Sequence, residues 1–302
     1  MTTVARTPDD RFLDLVDWPW EPTYAEITVD GLDLRVAWVD EGPPDAHPVV
    51  VLLHGEPTWG YLWRHVVPPL LDAGHRVVVP DQVGFGRSDK PQGREWYSYP
   101  RLADALDQTM AAAVGDAAVT LVVHDWGGML GLPWAARHAR QVARMVILNT
   151  GLYRPGMRTS EDWQRFHDFV ARIDEFPVTR MIAGAQLSDV TEEEARAWEA
   201  PFPDPSFHGG PLAMPGLVIR SEDQPGADDH LAAWEVLEAW DHAPVLTLWG
   251  AKDPIIPPVV GERIAARIPA AVEPETVEGA HFLQNDAGTK IGERIVEFMV
   301  GT

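Results

Sequence analysis

The stretch Leu121-Val122-Val123-His124-Asp125-Trp126-Gly127-Gly128 runs from an apolar, β-branched segment through one acidic residue into a helix-length segment. A continuously apolar run of this kind suits a strand buried on both faces. The carboxyl group of Asp125 then sits on the turn between strand and helix, and the two glycines let that helix pack closely. A carboxylate so placed can displace a leaving group from carbon and form an ester with itself, whereas a serine would normally attack an acyl carbon. An aspartate capping the helix through its first-turn N–H groups accounts for the same residue without any chemistry. This stretch alone leaves both readings open.

Outward from it, the same texture repeats. Short β-branched runs bounded by Gly, Pro and Asp occur at residues 32–39, 49–53, 76–79, 119–124, 145–148 and 245–249. Helix-length segments lie between them at 60–73, 101–114, 128–140, 259–268 and 289–299. This alternation predicts a mostly parallel central sheet flanked by helices. The first run, with Leu32, Leu34, Val36 and Trp38 alternating inward, reads as an antiparallel edge strand.

The alternation stops between Tyr153 and His242, where helical patterns at 162–173, 191–200 and 229–240 are separated by Pro and Gly clusters. Thr191 followed by Glu194 fits a capping box. Helices inserted between two strands of such a sheet are expected to cover the strand ends, where open α/β sheets bind ligands. The expected division is a core of residues 1–153 and 242–302 with a helical cap of residues 154–241.

Composition removes several classes. Of 302 residues, 24 are basic and 46 acidic, a net charge of −22. That charge repels a phosphate backbone and an anionic membrane surface, so neither nucleic acid nor membrane is an expected partner, and strongly anionic substrates are disfavoured. The absence of Cys excludes disulfides, a thiolate nucleophile and thiolate metal sites. No His spacing suits a metal, no apolar run reaches the ~18 residues of a membrane span, and the first ten residues carry no targeting pattern. A cytoplasmic protein is expected, with oligomeric state open and a monomer favoured.

Three further segments bear on Asp125. Leu52-Leu53-His54-Gly55-Glu56-Pro57-Thr58-Trp59 brings the Glu56 backbone N–H toward the same strand ends. Asp81-Gln82-Val83-Gly84-Phe85-Gly86-Arg87-Ser88-Asp89 is not a dinucleotide fingerprint, because Asp89 stands where the third glycine is needed. Gly279-Ala280-His281-Phe282 lies after the presumed last strand, where a base would follow nucleophile and acid in chain order.

Together these motifs resemble the haloalkane dehalogenases of the α/β-hydrolase fold, from about Trp38 to the C-terminus. The resemblance implies Asp125 as nucleophile, His281 as base and no cofactor or metal. It offers two positions for the acid. The earlier reads Asn149-Thr150 and carries no charge; the later, Gly250-Ala251-Lys252-Asp253-Pro254, supplies Asp253. Trp126 matches one halide-binding indole, and Trp163, near the start of the insertion, matches the other, with Trp198 as the alternative. The backbone N–H groups of Glu56 and Trp126 would form the oxyanion hole, and the Glu56 side chain would hold the hydrolytic water. His54 and His124 flank the site as structural hydrogen-bonding residues. Met129, Leu217, Val218, Ile255 and Ile256 are expected to line an apolar pocket, which favours a small apolar halogenated substrate over a polar one.

Rival readings share this frame. Epoxide hydrolases also use the aspartate but need a pair of cap tyrosines, and no Tyr occurs from Arg154 onward. Fluoroacetate dehalogenases place Arg where this chain has Trp126. A non-catalytic binding protein on the same fold is the alternative from another class.

Overall fold

The apolar runs pair side by side as their β-branched composition demands. The computed structural model describes residues 2–301. Its strands are β1 (Val4–Ala5), β2 (Pro22–Val29), β3 (Leu32–Glu41), β4 (Val49–Leu53), β5 (Val77–Asp81), β6 (Lys90–Pro91), β7 (Val119–His124), β8 (Val142–Leu148), β9 (Val245–Gly250) and β10 (Glu275–Val277). The helices are α1 (Val67–Asp72), α2 (Tyr99–Ala113), α3 (Trp126–Arg137), α4 (Glu161–Val170), α5 (Val178–Ala183), α6 (Glu192–Glu199), α7 (Gly209–Leu217), α8 (Ala227–Leu237), α9 (Pro258–Ala265) and α10 (Leu283–Val300).

The main sheet has the order β10-β9-β8-β7-β4-β5-β3-β2, and β1 pairs with β6 in a separate ribbon. From β10 to β5 all pairs are parallel; β3 is antiparallel to both β5 and β2. The Leu32 run is therefore not the edge. β2 covers it, a strand whose mixed polar pattern, Pro-Thr-Tyr-Ala-Glu-Ile-Thr-Val, gave no strong apolar signal. β4 and β7 are buried along their whole length, which fits their position in the middle of the sheet. The segment 60–73 is not one helix: a 3-10 turn at Gly60–Trp63 precedes α1, whose Pro68 and Pro69 lack N–H groups and belong at a helix start. No helix among the described residues is long and apolar enough to cross a membrane.

Between β8 and β9 lie α4 to α8. The capping box at α6 forms, with Thr191 Oγ1 accepting from the Glu194 N–H and the Glu194 side chain accepting from the Thr191 N–H. Glu194 also reaches Arg64, a guanidinium with 1% exposure, at 2.6 Å. Arg64 donates to Asn285 Oδ1 at 2.7 Å and lies over the ring of Tyr61, 4.4 Å from its centroid. A fully buried cation ties an inserted helix to the sheet-bearing part of the chain.

A buried charge left without its partner costs several kcal/mol, whereas a lost helix cap costs about 1 kcal/mol. Glu194→Ala removes both, so it is expected to lower stability by about 2 kcal/mol or more, against about 1 kcal/mol for Thr191→Ala. Urea denaturation of the two variants measures this, and equal losses would mean that the Arg64 ion pair contributes nothing.

Candidate active site

Asp125 has φ 49 and ψ −121, a backbone conformation that side chains other than glycine rarely adopt. Holding it there costs about 1–3 kcal/mol, which the surroundings must offset. Its N–H donates to the Asn149 carbonyl at 3.2 Å, and its own carbonyl accepts from Gly128 N–H at 2.9 Å and from the Thr150 hydroxyl at 2.6 Å. The helix after it is drawn close: a Cβ added at Gly127 would lie 2.2 Å from the Leu53 carbonyl oxygen, and one at Gly128 would lie 2.2 Å from Thr150 Oγ1. The side chain does not cap α3. It turns instead toward His281.

Asp125 Oδ1 accepts from the Glu56 backbone N–H at 2.9 Å, and the Trp126 backbone N–H also serves the carboxylate. Oδ2 lies 3.6 Å from His281 Nε2. The other imidazole nitrogen, Nδ1, is 2.9 Å from Asp253 Oδ2, while Asp253 Oδ1 accepts from the N–H groups of Ile255 and Ile256 at 2.8 and 3.0 Å. Burial opposes a charge on His281, but Asp253 and Asp125 outweigh it and raise its pKa to about 10. Burial likewise opposes the Asp125 carboxylate, and the neighbouring imidazole overcomes it and holds the group below the usual range. Glu56 goes the other way: burial, then the charge of Asp125, push its carboxyl well above the usual range, and its Oε1 has no partner among the described residues.

His54 and His124 are structural. The Gln82 N–H donates to His54 Nε2 at 3.0 Å, and His124 Nε2 lies 2.9 Å from the His281 carbonyl. Burial lowers the pKa of both, that of His124 to about 3, so both imidazoles are neutral.

These groups open onto a cavity of 360 Å³ between the carboxyl ends of the strands and the inserted helices. Met129, Val218, Ile255 and Ile256 line it. Leu217 does not: it is the last residue of α7, half-buried against the core. The helix ends there: Val218 has left it, at φ −58 and ψ 122, and it is Val218 that reaches the cavity. Trp126 and Trp163 are the tryptophans of the lining, and among the described residues neither indole N–H has a protein acceptor. Trp163 is fixed through Ser160, whose hydroxyl accepts from the Trp163 backbone N–H at 3.0 Å and donates to the Ile255 carbonyl at 2.7 Å. Trp198 packs edge-on against Tyr61 at 4.9 Å and lies outside the lining. Tyr153 is the one tyrosine in the described lining, half of the pair that an epoxide hydrolase needs.

A family model described as alpha/beta hydrolase fold matches residues 48–287. The chain is 40% identical over 301 residues to haloalkane dehalogenase 1 of Mycobacterium bovis, covering 99% of each protein. The haloalkane dehalogenase DpaA from Paraglaciecola agarilytica NO2 has a similar structure, with TM-score 0.90, 31% identity and 97% of each chain covered. The chain belongs to the haloalkane dehalogenases. It is also 43% identical over 257 residues, 77% of this chain and 82% of the other, to a cis-3-alkyl-4-alkyloxetan-2-one decarboxylase of Xanthomonas campestris pv. campestris.

Within this haloalkane dehalogenase the residue that sequence reasoning undervalued is Asn149. Read only as a position unable to carry charge, it is fully buried and ties three elements together. Its Nδ2 donates to the carbonyls of Ala280 at 3.0 Å and His281 at 3.2 Å, and its Oδ1 accepts from the Gly250 N–H at 2.9 Å. The ends of β8 and β9 and the His281 loop thus share one amide. Its place at the end of a buried strand was the available signal, but its partners lie more than 100 residues away. Asn149→Ala leaves the Ala280 carbonyl and the Gly250 N–H unpaired and takes one of two partners from the His281 carbonyl, which keeps His124 Nε2, and each buried orphan costs about 1–3 kcal/mol. We expect a thermal midpoint lower by several degrees and halide release slowed at least tenfold; a variant with unchanged turnover would show that His281 is positioned without it.

Proposed function

We propose that the chain hydrolyses haloalkanes to alcohol, halide and a proton through an ester on Asp125. What supports this most is the juxtaposition of Asp125 Oδ2 with His281 Nε2 at 3.6 Å, beside two cavity indoles whose N–H groups lack protein acceptors. In the first step an Asp125 oxygen attacks the halogen-bearing carbon in line. The C–O bond forms, the C–halogen bond breaks, and the halide leaves with the bonding pair toward the indole N–H groups of Trp126 and Trp163.

Ester formation removes the charge of Asp125 from beside His281. With only Asp253 left, the imidazole holds its proton less tightly and loses it, which makes it a base. It then takes a proton from water, whose oxygen attacks the ester carbonyl carbon. The backbone N–H groups of Glu56 and Trp126 stabilise the resulting oxyanion. Collapse expels the alkoxide, which takes the proton back from His281 and leaves as alcohol; the carboxylic acid formed on Asp125 then passes the water's second proton to His281, which restores the starting pair. The Glu56 carboxyl, beside Asp125, holds the attacking water.

The decarboxylase relative favours a second reading, on a β-lactone. Asp125 would attack the ring carbon bonded to oxygen, with a tethered carboxylate leaving in place of halide. Loss of CO2 would then form the alkene and return the C–O bonding pair to Asp125, with no water consumed. Two neutral N–H donors with nothing to hold suit a bare halide better than a carboxylate, which is why the first reading is preferred.

His281→Phe separates these steps. With 1-bromobutane it is expected to give one halide per enzyme and a butyl adduct on Asp125 by mass spectrometry; an unmodified protein that releases no halide would sink the two-step scheme. The same variant would still turn over a β-lactone if the second route operates. Trp163→Phe keeps the ring and deletes one N–H, and is expected to weaken halide binding about tenfold, followed by quenching of tryptophan fluorescence. Unchanged halide affinity would reduce Trp163 to packing.

A further inference from the structure

The cavity carries three cations that the proposed reaction does not use. Arg158, after β8, Arg180, on α5, and Arg263, on α9, all contribute to its lining, and all are exposed. Most arginines elsewhere are engaged: Arg6 with Asp89, Arg76 with Asp40, Arg101 with Asp30, Arg137 with Asp107 and Arg294 with Glu275. Among the described residues the guanidinium groups of Arg158, Arg180 and Arg263 have neither a carboxylate within ion-pair distance nor a hydrogen-bond acceptor. Glu161 and Asp162, at the start of α4, are taken by Arg165. The carboxylates of the described lining are Asp125 and Glu56 alone. A chain of net charge −22 therefore keeps three free guanidinium groups around one opening, although acidic partners outnumber basic ones nearly two to one.

We propose that these arginines bind the anionic far end of the substrate, and that the preferred substrates are halogenated alkanoates with halogen and carboxylate at opposite ends. The inference rests on Asp125 being the nucleophile. The planar fork of a guanidinium matches a carboxylate in two-point contact. Their exposed position lets the anion stay hydrated, so no charge has to be buried. Met129, Val218 and Ile256 supply an apolar wall for the methylene chain between the two ends. Trp126 beside the nucleophile offers no cation there, which rules out an anion next to the reacting carbon and fits one several carbons away.

The test compares bromide release from 6-bromohexanoate and 6-bromohexan-1-ol, by the whole protein and by the Arg158→Gln, Arg180→Gln, Arg263→Gln triple variant. The ratio of kcat/KM, carboxylate over alcohol, is expected to fall about tenfold in the variant, through KM. Raising ionic strength to about 0.5 M should lower the same ratio in the unaltered protein, since exposed pairs are screened. Replacement of the three residues by Lys should restore part of it. A ratio unmoved by both the Gln substitutions and salt overturns the inference. So does a fall in kcat shared by both substrates, which would assign the arginines to halide departure. If neither substrate yields bromide or an Asp125 adduct, the nucleophile assignment itself fails and takes the inference with it.

Discussion

The backbone of Asp125, held at φ 49 at the end of a central strand, is the constraint on which the site depends. A strained residue persists only where its surroundings over-determine it. Here β7 is clamped between β4 and β8, and α3 is drawn against the Leu53 carbonyl at Gly127 and against Thr150 at Gly128. Thr150 and Asn149, from the end of the next strand, hold the carbonyl and N–H of the strained residue. The result is a carboxylate that faces both a cavity and an imidazole. Relaxing the turn would return the side chain to capping α3 and remove it from reach of His281.

Electrostatics follow from that placement. Two carboxylates, Asp125 and Asp253, flank one imidazole, so the protonated histidine is the favoured state and the trio carries one net negative charge. A third ionised carboxyl in the same buried volume would be repelled, which is why Glu56 is driven toward its neutral form. An anion leaving such a site gains nothing from the protein's overall field. It needs local dipoles already in place, and in the proposed reaction the neutral indole N–H groups would supply these without adding a further charge beside Asp125.

Much of this was legible in the sequence because it is local. The strand-turn-helix signature around Asp125, the loop carrying Asp253 and the loop carrying His281 each span under ten residues, and their order along the chain fixes how the fold brings them together. Trp163 was legible from its place near the start of the insertion. What escaped was carried by distant or weakly patterned residues. β2 alternates too poorly to announce itself, yet it displaces β3 from the edge. The short helices α5 and α7 sit in Pro- and Gly-rich sequence and gain their stability from packing more than from propensity. Leu217 was a plausible lining residue on composition, but the point at which α7 ends decides which side chain faces the cavity, and composition is silent on that. Asn149 looked inert because its role consists of bonds to carbonyls across the sheet.

Trp126 joins the two halves of the proposed reaction in one residue. Its indole borders the space a departing halide would enter, while its backbone N–H serves the carboxylate oxygen that becomes the oxyanion when the ester is attacked. The two donors act at different times on different anions, and neither has to move between steps. That economy is available only at the first residue after the nucleophile, where the elbow fixes backbone and side chain together. It also explains why an arginine there would not be an equivalent choice. A cation at this position would help the halide leave, but it would sit against Asp125 throughout, lowering the nucleophile's reactivity and competing with His281 for its charge. A neutral donor next to the nucleophile, with cations kept at the cavity's exposed rim, keeps the attacking carboxylate strong while anions are handled elsewhere.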